Sequence, residues 1–434
     1  MPFMKLKQFG QAYAPKGSFR ANLITLMTGT AIAQMIMVAI SPVLTRLFAP
    51  EAFGALGVYL SLLAISGAVV TLRYDQALML PKNSEVAAAL FWSSILSVAA
   101  ISGFIFLGCV LFFKQIISIL KLRDLSIVIF LLPVSLFFFG IYVTLNSWST
   151  RQKKFGRSSI SQVVRSLSIA AVQIFSGILK TGPMGLIGGA LAGDFLAALT
   201  LGRLVKRDDW PILKRSFCLD KIKNVARQYR DFPLFSSTQN LLNAISQNIP
   251  LLLLAKFFGP AVAGFYVLGV RGIQIPMNFF LTSLRQVFFQ RASELHNQGG
   301  DTYALFKRTT LQLLAMVAVP ALTIILFGPR IFAFVLGRKW VIAGEYARWL
   351  ILWLMLMFAN VPAVLFAQIC RKQKAVLIQD ICLLIFRVLA IVIGGRRGNP
   401  LLAVVLYSLV GVFFNLFIIF WVGNFLRKSK GAQG

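Results

Sequence analysis

Acid is what this chain has least of. Only 13 Asp and Glu stand against 44 Lys and Arg in 434 residues, and His296 is the single histidine. So few proton carriers and metal ligands leave no pair of catalytic carboxylates, no Ser-His-Asp set and no metal cluster to assemble. No Gly-rich phosphate loop or nucleotide-binding module appears either. An enzyme is not expected, and no cofactor is implied. The four cysteines, Cys109, Cys218, Cys370 and Cys382, are scattered without metal-type spacing and read as small apolar residues. His296 lies alone in a polar loop and reads as a solvated side chain. The net charge of +31 comes with no nucleic-acid-binding module, so nucleic acid is not an expected partner. No cleavable signal is evident: residues 1–20 are basic, and the following apolar run is long enough to span and stay.

Apolar residues are what the chain has in excess. They make up 58% of it, with 39 Phe, and a water-soluble fold could not hide that much surface. A membrane-crossing helix needs roughly 20 apolar residues, and runs of that length recur with short breaks. The chain therefore reads as an all-α polytopic membrane protein with twelve spans: 22–45, 52–72, 86–113, 125–148, 158–179, 183–203, 232–255, 261–284, 308–328, 346–369, 375–394 and 400–426. The long middle linker 204–231 separates two six-helix lobes, 22–203 and 232–426, between tails 1–21 and 427–434. With both ends on one side, most Lys and Arg fall on that side, in the tails, in "RQKKFGR", in the middle linker and in "RKQK" and "RKSK". The positive-inside rule makes that side the cytoplasm. Both termini are expected there.

The chain also repeats itself. Residues 41–54, "SPVLTRLFAPEAFG", match 249–264, "IPLLLLAKFFGPAVAG", with Arg46, Phe48, Pro50 and Gly54 answered by Lys256, Phe258, Pro260 and Gly264. Further on, "TLR" at 71–73 is echoed by "SLR" at 283–285. Both copies sit at the same span number and side of their half. Parallel repeats of this kind are one plan for secondary transporters, with the site between the halves. Pro and Gly also recur in the turns of any membrane protein, but the matched position and flanking basic residue favour duplication.

Polar residues inside the spans show where an interior lies, because hydrocarbon penalises them. Ser236, Asn240, Asn243 and Gln247 form one stripe along span 7, and Arg271, Gln274, Asn278, Thr282 and Arg285 form another along span 8. Span 1 has Thr30, Gln34, Ser41 and Thr45, span 5 has Gln162, Arg165, Ser166 and Gln173, and span 11 has Gln373, Asp380 and Arg387. Helix–helix hydrogen bonding explains such residues equally well in span 1. In spans 7 and 8 the stripes are longer than packing needs, which favours a polar lumen. Its charges are mostly positive: Arg165, Arg271 and Arg387 against Asp194 and Asp380. Asp380 and Arg387 share a helix face two turns apart, so a structural salt bridge competes with function there. A guanidinium fork suits phosphate, so the lining argues for an anionic substrate.

The stretch "LMTGTAIAQMIMVAISPVLTRLFAPEAFGALGVYLSLLAI", followed by "RYDQALMLP", resembles the start of bacterial Wzx-type polysaccharide flippases. These belong to the multidrug/oligosaccharidyl-lipid/polysaccharide exporter superfamily. The likeness is sharp over roughly the first 85 residues and in "FFGPAVAGFYVL", and diffuse elsewhere. It implies a MATE-like fold of two six-helix lobes in the bacterial inner membrane, and a substrate of undecaprenyl-diphosphate-linked oligosaccharide moved from the cytoplasmic to the periplasmic leaflet. Within the quoted motif, Pro42, Arg46, Pro50 and Gly54 read as structural. On this reading the lobes rock about their cavity in alternating access. Arg165, Arg271 and Arg387 engage the diphosphate or acidic sugars, and Asn240, Asn243, Gln247, Gln274 and Asn278 hydrogen-bond the glycan. Asp194 or Asp380 carries a coupling proton, or the site takes sodium. The bilayer, a glycan polymerase and glycosyltransferases are the expected partners. Two alternatives stay open: an ion-coupled multidrug exporter on the same fold, and a non-transporting membrane scaffold for glycan assembly.

Overall fold

Prolines and glycines punctuate this chain where its apolar runs end, and the helices follow that punctuation. The structure, a computed structural model, describes residues 19–113, 115, 126–370 and 372–431. Most of the expected tail 1–21 and the end of the tail 427–434 therefore lie outside the described residues. The helices are α1 (Phe19–Leu47), α2 (Pro50–Gly67), α3 (Tyr74–Ala77), α4 (Ser84–Leu111), α5 (Ser126–Arg151), α6 (Phe155–Ile178), α7 (Pro183–Arg215), α8 (Leu219–Gln228), α9 (Ser237–Phe258), α10 (Pro260–Asn297), α11 (Thr302–Leu336), α12 (Val341–Ala359), α13 (Val361–Ile369), α14 (Gln373–Arg396) and α15 (Pro400–Gly431). No strand occurs among the described residues.

Local chemistry sets the boundaries. Pro occupies the first turn of α2, α7, α10 and α13, where its missing N–H leaves no bond unmade. Gly182 (φ 65°) and Gly259 (φ 88°) turn the chain into α7 and α10 through the left-handed region. Side-chain caps start two others: Asn83 accepts from Glu85 N at 2.8 Å, and Asp301 accepts from Ala304 N at 3.0 Å. Pro233 lies in a π-helical turn, Phe232–Ser236, just before α9. There its absent donor breaks the regular ladder.

Ten helices among the described residues are long and apolar enough to cross a membrane. The chain is an all-α, multi-pass membrane protein. Expected spans 5 and 8 correspond to α6 and α10, continuous helices of 24 and 38 residues. Their content of Ser, Gln and Arg keeps them out of the ten. Expected span 10 is broken at Asn360 into α12 and α13. Helix α7 runs twelve residues past the expected end at 203. At about 1.5 Å per residue its 33 residues exceed the ~30 Å hydrocarbon core, so its charged end stands clear of the lipid.

The chain divides into two compact units: Met1–Ala52 with Val58–Asn248, and Phe53–Gly57 with Ile249–Gly434. In the first unit α6 and α7 approach closely on small residues. A Cβ on Gly189 would come 2.4 Å from Gln173 Cγ, and one on Gly193 would come 2.4 Å from Ile169 Cγ1. This is helix packing that relies on small residues rather than on the hydrophobic effect. A second core gathers Tyr74, Leu78, Leu90, Phe91, Trp148, Leu201 and Leu213 with Ile222 and Val225 of α8. The short basic helix α8 is thus docked by its apolar face.

In the second unit the repeated motif explains itself. A Cβ on Gly54 would sit 1.7 Å from Pro260 O and 3.0 Å from Gly264 N. Only a glycine permits that approach, and Pro260 and Gly264 belong to the other copy of the motif. Phe53 and Phe265 both pack edge-on against the buried Trp340, with centroids 5.1 and 5.9 Å away.

Candidate functional site

In the first unit the arginine of expected span 5 is paired with an acid. Arg165 on α6 donates from Nε to Asp194 Oδ1 on α7 at 2.6 Å. The carboxylate is sealed, with 1% of its side chain exposed, while the arginine keeps 37%. Arg165 also lies 5.9 Å over the Tyr142 ring. Neither partner is on the other's helix, so the pairing could not be read from helical spacing. With the carboxylate sealed, removing either partner would leave an uncompensated charge, while the guanidinium keeps part of its surface open.

The same unit holds the span 7 amides. Asn240 donates to Ala68 O at 2.9 Å, where α2 has ended in a run of turns, and Gln247 donates to Asn243 Oδ1 at 3.0 Å. Asn243 and Gln247 are exposed, and Asn240 is half-buried. One amide therefore caps a broken helix, and two remain presented from one face of α9. On α1, Thr30 donates to Gln162 Oε1 of α6 at 2.7 Å, which uses that polar pair for packing.

The motif "TLRYDQALMLP" is structural. Leu72 (φ 49°) and Arg73 (φ 62°) adopt left-handed backbone, a strained state for side-chain-bearing residues. Thr71 Oγ1 donates to the buried Asp75 Oδ1 at 2.6 Å and accepts from Arg73 N at 3.3 Å, holding the turn. Arg151 then donates to Leu78 O at 2.9 Å and Pro81 O at 2.6 Å. Nearby on α7, Asp209 accepts from Arg157 at 2.6 Å, from Lys154 at 2.9 Å and from Trp148 at 3.3 Å. Asp208 binds Arg157 at 2.6 Å as well. Of these, the positive-inside rule uses Lys154 and Arg157 alone, as cytoplasmic charges, and says nothing of their acidic partners. The alternation of "RQKKFGR" with a later "KRDD" is the one signal that could have paired them.

The second unit is different. Arg271 on α10 is exposed, and no ion pair or hydrogen bond to it exists among the described residues. Gln274, one turn on, is half-buried, and the Asn278 side chain lies outside the described residues. Arg387 on α14 stands 4.4 Å over the Trp353 ring of α12 and 4.5 Å over the Tyr407 ring of α15. Its Nε is enclosed and has no partner, as is Trp353 Nε1. Asp380 is exposed and forms no ion pair with Arg387 among the described residues. The two-turn salt bridge that their spacing allowed is replaced by cation–π contacts. Trp353 and Tyr407 come from two other helices and were invisible to reasoning within one span.

Bundles of this kind have solved counterparts. The chain is similar to an inward-facing multidrug resistance MATE family transporter of the MOP superfamily, with TM-score 0.66, 16% identity, and 93% of this chain and 96% of that one covered. It is similar to the lipid II flippase MurJ in an inward closed conformation, with TM-score 0.69, 14% identity, and 92% and 87% covered. A MOP superfamily transporter from Pyrococcus furiosus, described as having a binding pocket of reverse polarity, gives TM-score 0.52 at 15% identity, with 94% and 95% covered. These likenesses define the class: a membrane protein with the MOP superfamily fold. Residues 43–345 match the family described as polysaccharide biosynthesis protein. The chain belongs to that family. No curated protein matches it.

Proposed function

We propose that this protein is a flippase that carries undecaprenyl-diphosphate-linked oligosaccharide from the cytoplasmic to the periplasmic leaflet of the bacterial inner membrane by alternating access. The observation that carries the reading is that Arg271 and Arg387, on helices of the second unit, have no carboxylate partner among the described residues. A cation within a membrane helix is retained where it meets an anion or lines a path for one. In a polysaccharide biosynthesis family, the lipid carrier's diphosphate is such an anion. On this reading the exposed part of Arg165 also engages the anion, and Asn243, Gln247 and Gln274 hydrogen-bond sugar hydroxyls. Asp194 and Asp380 are the acids within spans that would carry a coupling proton. Helices α6 and α10 complete twelve crossings, with both termini cytoplasmic. A glycan polymerase and glycosyltransferases would work beside it.

The multidrug alternative is opposed by charge. Moving a lipophilic cation past unpaired arginines in a medium of low dielectric is repulsive. The deciding experiment measures surface glycan in a deletion strain carrying each variant, normalised to its membrane abundance. Arg271→Ala removes a charge-assisted contact, with an expected tenfold to hundredfold loss of affinity, or roughly 1.5–3 kcal/mol. Arg271→Lys should fall between that variant and wild type. Full export by Arg271→Ala, or gradient-driven efflux of cationic dyes from proteoliposomes, would defeat the reading. Reporter fusions within 206–230 should report cytoplasm, and those near Lys339 periplasm.

A further inference from the structure

Arg387 does not merely lack a counter-ion; its surroundings hold it in a fixed place. Trp353 and Tyr407 meet at 87° with centroids 5.9 Å apart, so their faces form a corner. The guanidinium carbon sits in that corner, 4.4 and 4.5 Å from the two centroids. Tyr266 backs the corner edge-on against Tyr407, with centroids 6.0 Å apart. The third side is Gly411. A Cβ there would lie 2.7 Å from Arg387 Nη2 and 2.8 Å from Trp353 Cβ, so any side chain at 411 would push the cation out. Both rings are buried, with Trp353 5% and Tyr407 4% exposed.

Aromatic faces attract the charge but do not take up the N–H groups. A guanidinium carries five of them in a rigid plane, and no described residue accepts from any. Trp353 adds a buried indole N–H that also has no acceptor. The cluster thus holds positive charge and N–H donors that its own side chains do not take up, and its most prominent member is set in one orientation. An oxyanion with two oxygens in the plane of the fork is the chemical complement.

We infer that the Arg387 corner is a receptor for a phosphate-class oxyanion, with Trp353, Tyr407 and Gly411 as the residues that position the guanidinium. The inference rests on the flippase reading for its choice of phosphate over other oxyanions. The substrate's diphosphate meets this group in the second unit, and the missing side chain at Gly411 leaves room for the fork.

The test uses the full chain in nanodiscs, titrated calorimetrically with inorganic diphosphate, and in a second arm with polyprenyl diphosphate supplied in the bilayer. Saturable binding is expected in both arms, and tighter binding in the second identifies the lipid carrier as the source. Arg387→Gln should weaken binding at least tenfold. Arg387→Lys, which keeps charge but not the fork, should fall between. Gly411→Ala should weaken it as Arg387→Gln does. Trp353→Phe keeps the wall, loses the N–H and should cost up to threefold, while Arg397→Gln should match wild type. Thermal unfolding of each variant identifies misfolded protein, and Arg387→Lys keeps the test decisive if Gly411→Ala does not fold. Absent diphosphate binding, unchanged binding in Arg387→Gln, or a preference for glucuronate over diphosphate would each overturn the inference. Glycan export separates the two claims. Export with diphosphate binding indifferent to Arg387 leaves the flippase and removes this receptor. Diphosphate binding through Arg387 without export leaves the receptor and removes the flippase.

Discussion

Two arginines inside membrane helices are treated in opposite ways. Arg165 in the first unit meets the sealed carboxylate of Asp194, whereas Arg387 in the second meets two aromatic rings and a glycine. Acid supply explains the contrast. The second unit has only Glu294, Asp301, Glu345 and Asp380, and Glu345 there pairs with Arg348. The first unit spends its acids on its cations, pairing Arg157 with Asp208 and Asp209 as well. Removing one partner of the first-unit pair orphans a charge, whereas removing Arg387 orphans none.

Breaking the pair in the first unit should have the largest effect on stability. Asp194→Asn leaves Arg165 without its counter-charge, at a cost of about 3 kcal/mol. That is the lower end for a buried pair, because the arginine is partly open. The expected readout is a lower unfolding temperature and lower membrane abundance. Replacing both partners, with Arg165→Met and Asp194→Leu, should recover most of that loss, and a double-mutant cycle measures the coupling. If the double variant is no better than Asp194→Asn, the two residues do not act as a pair.

The opposite outcome is expected in the second unit. Arg387→Met should leave unfolding within about 1 kcal/mol of wild type, since no buried carboxylate is orphaned, while glycan export falls. A large loss of stability with export per molecule intact would make Arg387 a structural residue like Arg165. The smallest effect belongs to a contact already used for packing. Thr30→Val removes the hydrogen bond to Gln162 and should cost about 1 kcal/mol, seen as a small shift in unfolding temperature with export unchanged.

The sequence made the helices legible because a membrane-crossing run needs length and apolarity, both of which can be read locally. Its ends were less so. Helix α10 continues past 284 to Asn297, and α7 past 203 to Arg215, because charged residues outside the lipid remain good helix formers. The polar stripe of α9 was visible from spacing, yet spacing could not tell that Asn240 caps the break at Ala68 while Asn243 and Gln247 stay exposed. For the arginines, residue type and depth were plain. Their partners were not, since Asp194, Trp353 and Tyr407 all reach them from other helices. The repeat was legible as a pattern, but the meeting of Gly54 with Pro260 was not.

That meeting bears on how the protein is made. Phe53–Gly57 lies early in the chain yet belongs to the second unit, where Gly54 rests against the backbone of Pro260. During synthesis, α2 is inserted and must wait, its glycine face uncovered, until translation has delivered α10. The earliest part of the second unit is therefore completed by residues that leave the ribosome much later. An N-terminal half expressed alone would carry that uncovered face permanently. Co-expression of the missing half would be the way to close it.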